Sequence, residues 1–299
     1  MKFIYDGDSR ETEACHLDNP GDTATCSVSF TLTEDWDGPV YVYYELGNYY
    51  QNHRRYVQSR DHEQLAGEER SEAELEKCEP LIETDGQIRN PCGLIAGSFF
   101  NDMISMNTPG KTMDETGISW KSDRDVKFKQ PDGFKAYALA ANADSCAVDY
   151  GAEYTYYNDV ATTTGYCYSY PNDDDTLYLY EMFPNAINPV EGVTNEHFIV
   201  WMRTAALPTF RKLYGTIDGD FQKGDEIVFS IESQFEVSSY DASKGIVIST
   251  IGEFGGKNPA LGVAYIVVGS VSLFLAVAFF VKHLLSPRDT GNKDVLKWE

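Results

Sequence analysis

The residues able to do chemistry are sparsely arranged in this sequence. Its five histidines, His16, His53, His62, His197 and His283, are scattered, and none stands at a zinc-ligand spacing from any of the six cysteines. The runs H-E-x-x-H, G-x-S-x-G and G-x-x-x-x-G-K-[ST], which would place a metal, a serine nucleophile or a phosphate loop, are absent. Two acidic triplets, DDD at residues 173–175 and DGD at residues 218–220, offer the carboxylate oxygens that Ca²⁺ prefers. Neither fits an EF-hand loop, and both read as solvated turns. Paired carboxylates for glycoside hydrolysis carry almost no specificity among 47 acidic side chains. The residues therefore point to no catalytic group, no metal and no cofactor.

Base, by contrast, is concentrated. The segment NHRRYVQSRD, residues 52–61, holds His53, Arg54, Arg55 and Arg60, and RTAALPTFRKLYG, residues 203–215, holds Arg203 and Arg211. Both lie in a chain of net charge −23 and both interleave with aromatic residues. A guanidinium can stack on a Tyr face and fork onto a carboxylate at once. Two readings follow. The arginines satisfy internal carboxylates, Glu45 among them, or they form a site for a lipid phosphate or a partner protein. The overall charge argues against general nucleic-acid binding, which needs phosphate neutralised by Lys and Arg, and against flat adsorption onto anionic lipid.

The elements that must hold these residues are mostly strands. CSVSFTLTE puts Val28, Phe30 and Leu32 on one face, and DEIVFSIESQFEV does the same with Ile227, Phe229 and Ile231. PVYVYYEL is aromatic and β-branched, KGIVISTIGEF follows the second alternating run, and clusters such as NPGD, YPNDDD and TIDGD punctuate the intervals. Helical pattern is thin. HEQLAGEERSEAELEKCE reads as one short charged helix weakened by Gly67, and WMRTAALPTF is interrupted by Pro208. The fold expected is mainly β: an antiparallel sandwich with long loops and few short helices, undivided over residues 1–260.

Residues 261–281, LGVAYIVVGSVSLFLAVAFFV, carry no charge. As a helix of 21 residues they would extend roughly 31 Å, about one hydrocarbon core. The tail after them, residues 282–299, sets Lys282, Arg288, Lys293 and Lys297 against Asp289, Asp294 and Glu299, a net of +1. With −23 overall, the rest of the chain is −24, so the positive-inside tendency predicts a cytoplasmic tail and a lumenal or extracellular bulk. Within the span Gly262, Gly269 and Ala276 recur every seven residues, drifting only about 20° per heptad, and Ser272 borders the same stripe. Small residues let a second helix approach closely in lipid, although glycine is common in membrane helices anyway.

All six cysteines, Cys15, Cys26, Cys78, Cys92, Cys146 and Cys167, precede the span, and no C-x-x-C occurs. Six cysteines allow fifteen connectivities. Sequential pairing is the simplest, closing loops of 12, 15 and 22 residues, each stabilising by about 3 kcal/mol in the chain-entropy picture. Free buried thiols are the alternative. The opening MKFIYDGDSRETEAC has neither a basic n-region nor a long apolar stretch, so nothing in it would start the export of the bulk.

Five collinear runs together resemble a known family: NHRRYVQSRD, PCGLIAGSFFND (91–102), GISWKSDRDVKF (117–128), NEHFIVWMRTAALPTFRKLYG (195–215) and GGKNPALGVAYIVVG (255–269). They are similar to the ligand-effect-modulator family, the β-subunits of type IV P-type ATPases, which are phospholipid flippases. The resemblance implies two membrane spans around one disulfide-linked β-rich ectodomain, and a non-catalytic role beside an ATPase α-subunit in a membrane-embedded heterodimer. It implies support of that partner's folding, exit from the endoplasmic reticulum and transport cycle, in the endoplasmic reticulum, Golgi, endosome or plasma membrane. The partner's D-K-T-G-T motif is absent here. The family's first span belongs just before MKFIYD, so Met1 is expected to be an internal start or a truncation. Glycosylation is usual in the family, yet no N-x-[ST] acceptor occurs. The resemblance supports Cys15–Cys26 and Cys78–Cys92, and Cys146–Cys167 least. Two other classes stand against it: a disulfide-stabilised cell-surface receptor or adhesion protein, and a tethered ectohydrolase.

Overall fold

The structure, a computed structural model, describes residues 1–139, 146, 154–159, 164–172, 174–250 and 259–287. The chain divides into a folded unit, Met1–Thr250, and a C-terminal unit, Ile251–Glu299. Alternation builds the first. In strand β2 (Ala24–Thr31) Cys26, Val28 and Phe30 are buried while Thr25, Ser27, Ser29 and Thr31 face out. Strand β13 (Glu226–Ser233) repeats this with Ile227, Phe229 and Ile231 and pairs antiparallel along β2, Phe229 opposite Val28. Strand β6 (Met103–Met106) lies on the other side of β13 and completes a three-stranded sheet.

A five-stranded sheet faces it. Its order is β1 (Lys2–Gly7), β14 (Ser243–Thr250), β3 (Val40–Gly47), β12 (Phe210–Ile217) and β7 (Met113–Asp114), with every neighbour antiparallel. Val40, Val42, Tyr44 and Leu46 of β3 enter the shared core, and Tyr44 stacks on Phe100 at 4.0 Å. Across the two layers Phe3 of β1 meets Phe30 of β2 edge-on at 6.5 Å, and within the three-stranded sheet Phe30 meets Phe229 at 6.2 Å. Edge-to-face rings at these separations contribute beyond their buried area. The expected mainly β sandwich is the observed architecture.

Two small sheets decorate it. Strands β8 (Lys135–Ala138), β10 (Thr164–Ser169) and β9 (Thr155–Asp159) are antiparallel. In the other, β4 (Glu83–Thr84) pairs antiparallel with β5 (Gln87–Asn90), but β11 (Thr176–Tyr178) runs parallel to β5, Thr176 opposite Ile88. This departs from an all-antiparallel expectation. A tight turn forces only sequence neighbours to be antiparallel, and β5 and β11 are joined through a long excursion. The disulfides are sequential, Cys15–Cys26, Cys78–Cys92 and Cys146–Cys167, and none of the six thiols is free.

The single charged helix expected over HEQLAGEERSEAELEKCE is instead three pieces: helix α2 (His62–Leu65) and 3-10 turns at Glu72–Glu74 and Glu76–Cys78. Gly67 breaks it. Its φ is +99°, a Cβ there would meet the Gln130 carbonyl oxygen at 2.5 Å, and its own carbonyl accepts the Asp132 amide at 2.7 Å. The C-terminal unit holds helix α6 (Pro259–Leu285), whose described side chains are all exposed. It is the candidate membrane span, long and apolar over Leu261–Leu285. Asp173 of the DDD triplet and Arg288, Lys293 and Lys297 of the tail lie outside the described residues.

Candidate functional site: a basic band on an acidic domain

The first basic segment is pinned by its uncharged residues. Helix α1 (Arg54–Gln58) is one turn long, and Ser59 after it is fully buried. The Ser59 hydroxyl donates to the Cys78 carbonyl at 3.1 Å and accepts the Leu94 amide at 2.8 Å, so it ties the segment to the Cys78–Cys92 bridge. Tyr56 shares a hydrogen bond with Ser98 at 2.8 Å, and Asn52 donates to the Ala206 carbonyl at 2.9 Å. That scaffold turns Arg54 and Arg55 outward. Both are exposed and make no ion pair or hydrogen bond among the described residues. Arg60 turns inward, donates to the Met202 carbonyl at 3.2 Å, and is pushed below its ordinary pKa by burial.

Arg203 and Arg211 are anchored to carboxylates. Arg203 Nε donates to the buried Asp123 at 2.5 Å, Lys127 pairs with the same carboxyl at 2.7 Å, and the guanidinium lies 4.7 Å from the Trp120 ring. Burial pushes the Asp123 carboxyl up, but hydrogen bonds from Arg203 and Lys127 outweigh it and hold it below the usual range. Arg211 Nε donates to Glu45 at 2.6 Å, directly opposite it in the β12–β3 register, and Lys2 also pairs with that carboxylate. Again burial acts upward, the bonds from Lys2 and Arg211 act downward, and the net shift is down. Of the five arginines, two are anchored to internal carboxylates, one to a carbonyl, and two project free.

The two segments, far apart in sequence, adjoin on the surface. A cleft of about 950 Å³ is lined by Arg55, Arg60, His62, Arg70 and Lys77 together with Asp61, Glu63, Glu74, Glu76 and Glu79. Arg60 and His62 also line a second cleft of about 380 Å³, together with Lys127 and Arg203. Arg203 in turn lines a third, of about 340 Å³, with Arg211. Burial first, then the Arg60 charge, lowers the His62 pKa, so this imidazole adds no fixed charge at neutral pH. The result is a band running Arg55, Arg60, Arg203, Arg211.

Sequence reasoning passed over Lys212, Trp120 and Asp123. Lys212 is buried on β12 and donates to the carbonyls of Val200, Trp201 and Arg203 at 2.8, 2.7 and 2.6 Å. These are the open carbonyls at the end of helix α5 (Glu196–Met202), which therefore stops well before Pro208. Burial, with the Arg203 charge beside it, pushes the Lys212 pKa down to about 7. The legible signal was a lysine at an inward position of an alternating strand.

On α6, added Cβ atoms at Gly262 and Gly269 would meet nothing within 4 Å. The Ser272 hydroxyl donates to the Val268 carbonyl at 2.9 Å, so its polarity is satisfied within the helix. Ala276 is exposed.

Residues 5–289 match the family described as LEM3 (ligand-effect modulator 3) family / CDC50 family. Relatives include "Putative ALA-interacting subunit 4" of Arabidopsis thaliana, 39% identical over 278 residues, with 91% of this chain and 70% of the relative covered. "ALA-interacting subunit 3" of the same plant is 36% identical over 292 residues, covering 97% and 72%. "Cell cycle control protein 50A" of Bos taurus is 38% identical over 272 residues, covering 86% and 67%. With nearly all of the folded unit and the whole apolar helix inside the matched range, the chain belongs to the LEM3 / CDC50 family.

Proposed function

We propose that this chain is the non-catalytic β-subunit of a phospholipid flippase, held in a heterodimer with a type IV P-type ATPase α-subunit. The observation that carries the reading is the family match over nearly the whole chain, with relatives whose names call them interacting subunits. In this reading the chain supports its partner's folding, exit from the endoplasmic reticulum and transport cycle, while the phosphorylated aspartate and the lipid path belong to the partner. Residues 1–260 form the lumenal or extracellular domain, 261–281 cross the membrane, and 282–299 are cytoplasmic. Three disulfides suit an oxidising compartment of the secretory pathway. Arg54 and Arg55, exposed and unpaired among the described residues, are the contact we assign to the partner's lumenal loops, and the stripe Gly262, Gly269, Ser272 and Ala276 is the face we assign to its membrane helices.

Mild-detergent affinity purification of the tagged full chain, with co-purifying proteins identified by mass spectrometry, tests this. Near-stoichiometric recovery of a type IV P-type ATPase is expected. Repeated recovery of the folded, disulfide-bonded chain without one would instead favour a stand-alone surface receptor.

A further inference from the structure

The two edges of the five-stranded sheet are treated differently. On β1 the edge is closed by residue Glu11, whose amide donates to the Ile4 carbonyl at 2.8 Å while its carboxylate accepts the Ile4 amide at 3.0 Å. On the opposite side β7 pairs only with Thr216 and Ile217 of β12. Among the described residues no strand pairs with the outer edge of β12 from Phe210 to Leu213. An open edge presents unpaired backbone donors and acceptors, and proteins ordinarily block it.

This one opens onto a cleft. The space of about 340 Å³ beside Arg211, Lys212 and Leu213 is walled by Ile118, Ile199 and Trp120, the last 66% exposed. Arg203 and Arg211 stand at its rim. Each commits its Nε to an internal carboxylate, Asp123 or Glu45, and no hydrogen bond engages the remaining guanidinium nitrogens among the described residues. They are cations already oriented, with donors to spare, on a protein whose net charge is −23. Side chains two apart on a strand share a face, so Arg211 and Leu213 present one charge and one apolar contact side by side.

We propose that the outer edge of β12 is a strand-addition site for an extended segment of a partner protein in which an aliphatic residue is followed two positions later by Asp or Glu. An antiparallel segment continuing the line of β7 would set the aliphatic residue opposite Leu213 and the carboxylate opposite Arg211. The main-chain ladder supplies affinity and these two cross-strand pairs supply the sequence preference. Trp120 and Ile118 close over the segment's other face. The inference rests on the edge, the cleft and the guanidiniums alone, and stands whether or not the partner is an ATPase.

The test uses the full chain in detergent and a fluorescein-labelled Thr-rich octapeptide in which a Leu is followed two positions later by Glu, with Lys-for-Glu and proline-interrupted versions as controls. Fluorescence anisotropy reads binding, and hydrogen exchange with mass spectrometry reads the backbone. The Glu peptide is expected to bind saturably and to slow exchange in residues 210–213, and the proline version to do neither. Arg211→Gln should weaken binding by about fivefold, the scale of one exposed ion pair, and Trp120→Ala should weaken it through lost apolar cover. Thermal unfolding of each variant separates loss of the site from loss of the fold. Absence of saturable binding, binding that leaves exchange in 210–213 unchanged, or equal affinity in folded Arg211→Gln and Trp120→Ala variants overturns the proposal.

Discussion

Asp102 lies 2.9 Å from Lys244, and both side chains are fully buried in the folded unit. Asp102 also accepts the Tyr5 hydroxyl at 2.8 Å and the amides of Gln234 and Phe235 at 2.6 and 2.7 Å. Lys244 reaches Ser233 at 2.7 Å and the Phe235 carbonyl, with Asp6 a further 3.6 Å away. The pair thus ties β1, β14 and the end of β13 to the segment entering β6. Lys244→Met would leave the buried Asp102 carboxylate without its cation, while Asp6 keeps His16 at 2.6 Å. We expect a loss of about 3–5 kcal/mol, measured by denaturant unfolding with the disulfides intact.

Glu45 and Asp123 both have carboxyls held below their ordinary range. A carboxylate depressed in the native state binds its proton later than in the unfolded chain, so the unfolded state holds more protons as pH falls. The stability they contribute is present above about pH 4 and is lost as pH drops through the native values. Glu45→Gln and Asp123→Asn should therefore flatten the decline in melting temperature between about pH 5 and 3. An unchanged slope in both variants would count against these ion pairs.

Lys212 acts with the same sign at higher pH. Its pKa falls to about 7 in the native state against about 10.4 in an unfolded chain. Between those values the unfolded chain binds the extra proton, so wild-type stability should rise with pH. Lys212→Met should abolish that rise between pH 7 and 9. It should also cost about 1–3 kcal/mol by stranding the carbonyls of Val200, Trp201 and Arg203.

Arg54 and Arg55 are exposed and unpaired among the described residues, so reversing both to Glu should shift the melting temperature by no more than about 2 °C. Recovery of the partner in affinity purification should fall. Unfolding of the double variant would make these arginines structural.

Gly262→Leu and Gly269→Leu raise the apolarity of α6, so insertion should persist. If the stripe packs against another helix, the added side chains should block close approach and lower partner recovery, read by quantitative mass spectrometry of the purified complex. Leu substituted at Val267, off the stripe, should have no such effect.

Much of the fold was legible because alternation is a local property. The runs around Val28 and around Phe229 became β2 and β13 with the expected faces buried, and 21 uncharged residues became the centre of α6. Cysteine order coincided with cysteine pairing because each bridge closes a short loop. The charged helix was misread because Gly67 answers to the Gln130 backbone, more than sixty residues on, and not to its own neighbours.

By itself, then, the sequence determined the class of the protein: strands by period two, a candidate span by length, and family by five collinear runs. Only the tertiary structure decided what each charge does. Arg54 and Arg211 look alike in the chain, yet one projects into solvent and the other meets Glu45 across a strand pair 166 residues apart. Lys212 and Lys244 carry the charge of surface lysines, yet both are buried. A side chain's face follows from local backbone geometry, but its partner depends on which strands pair, and that is settled by the packing of the whole domain.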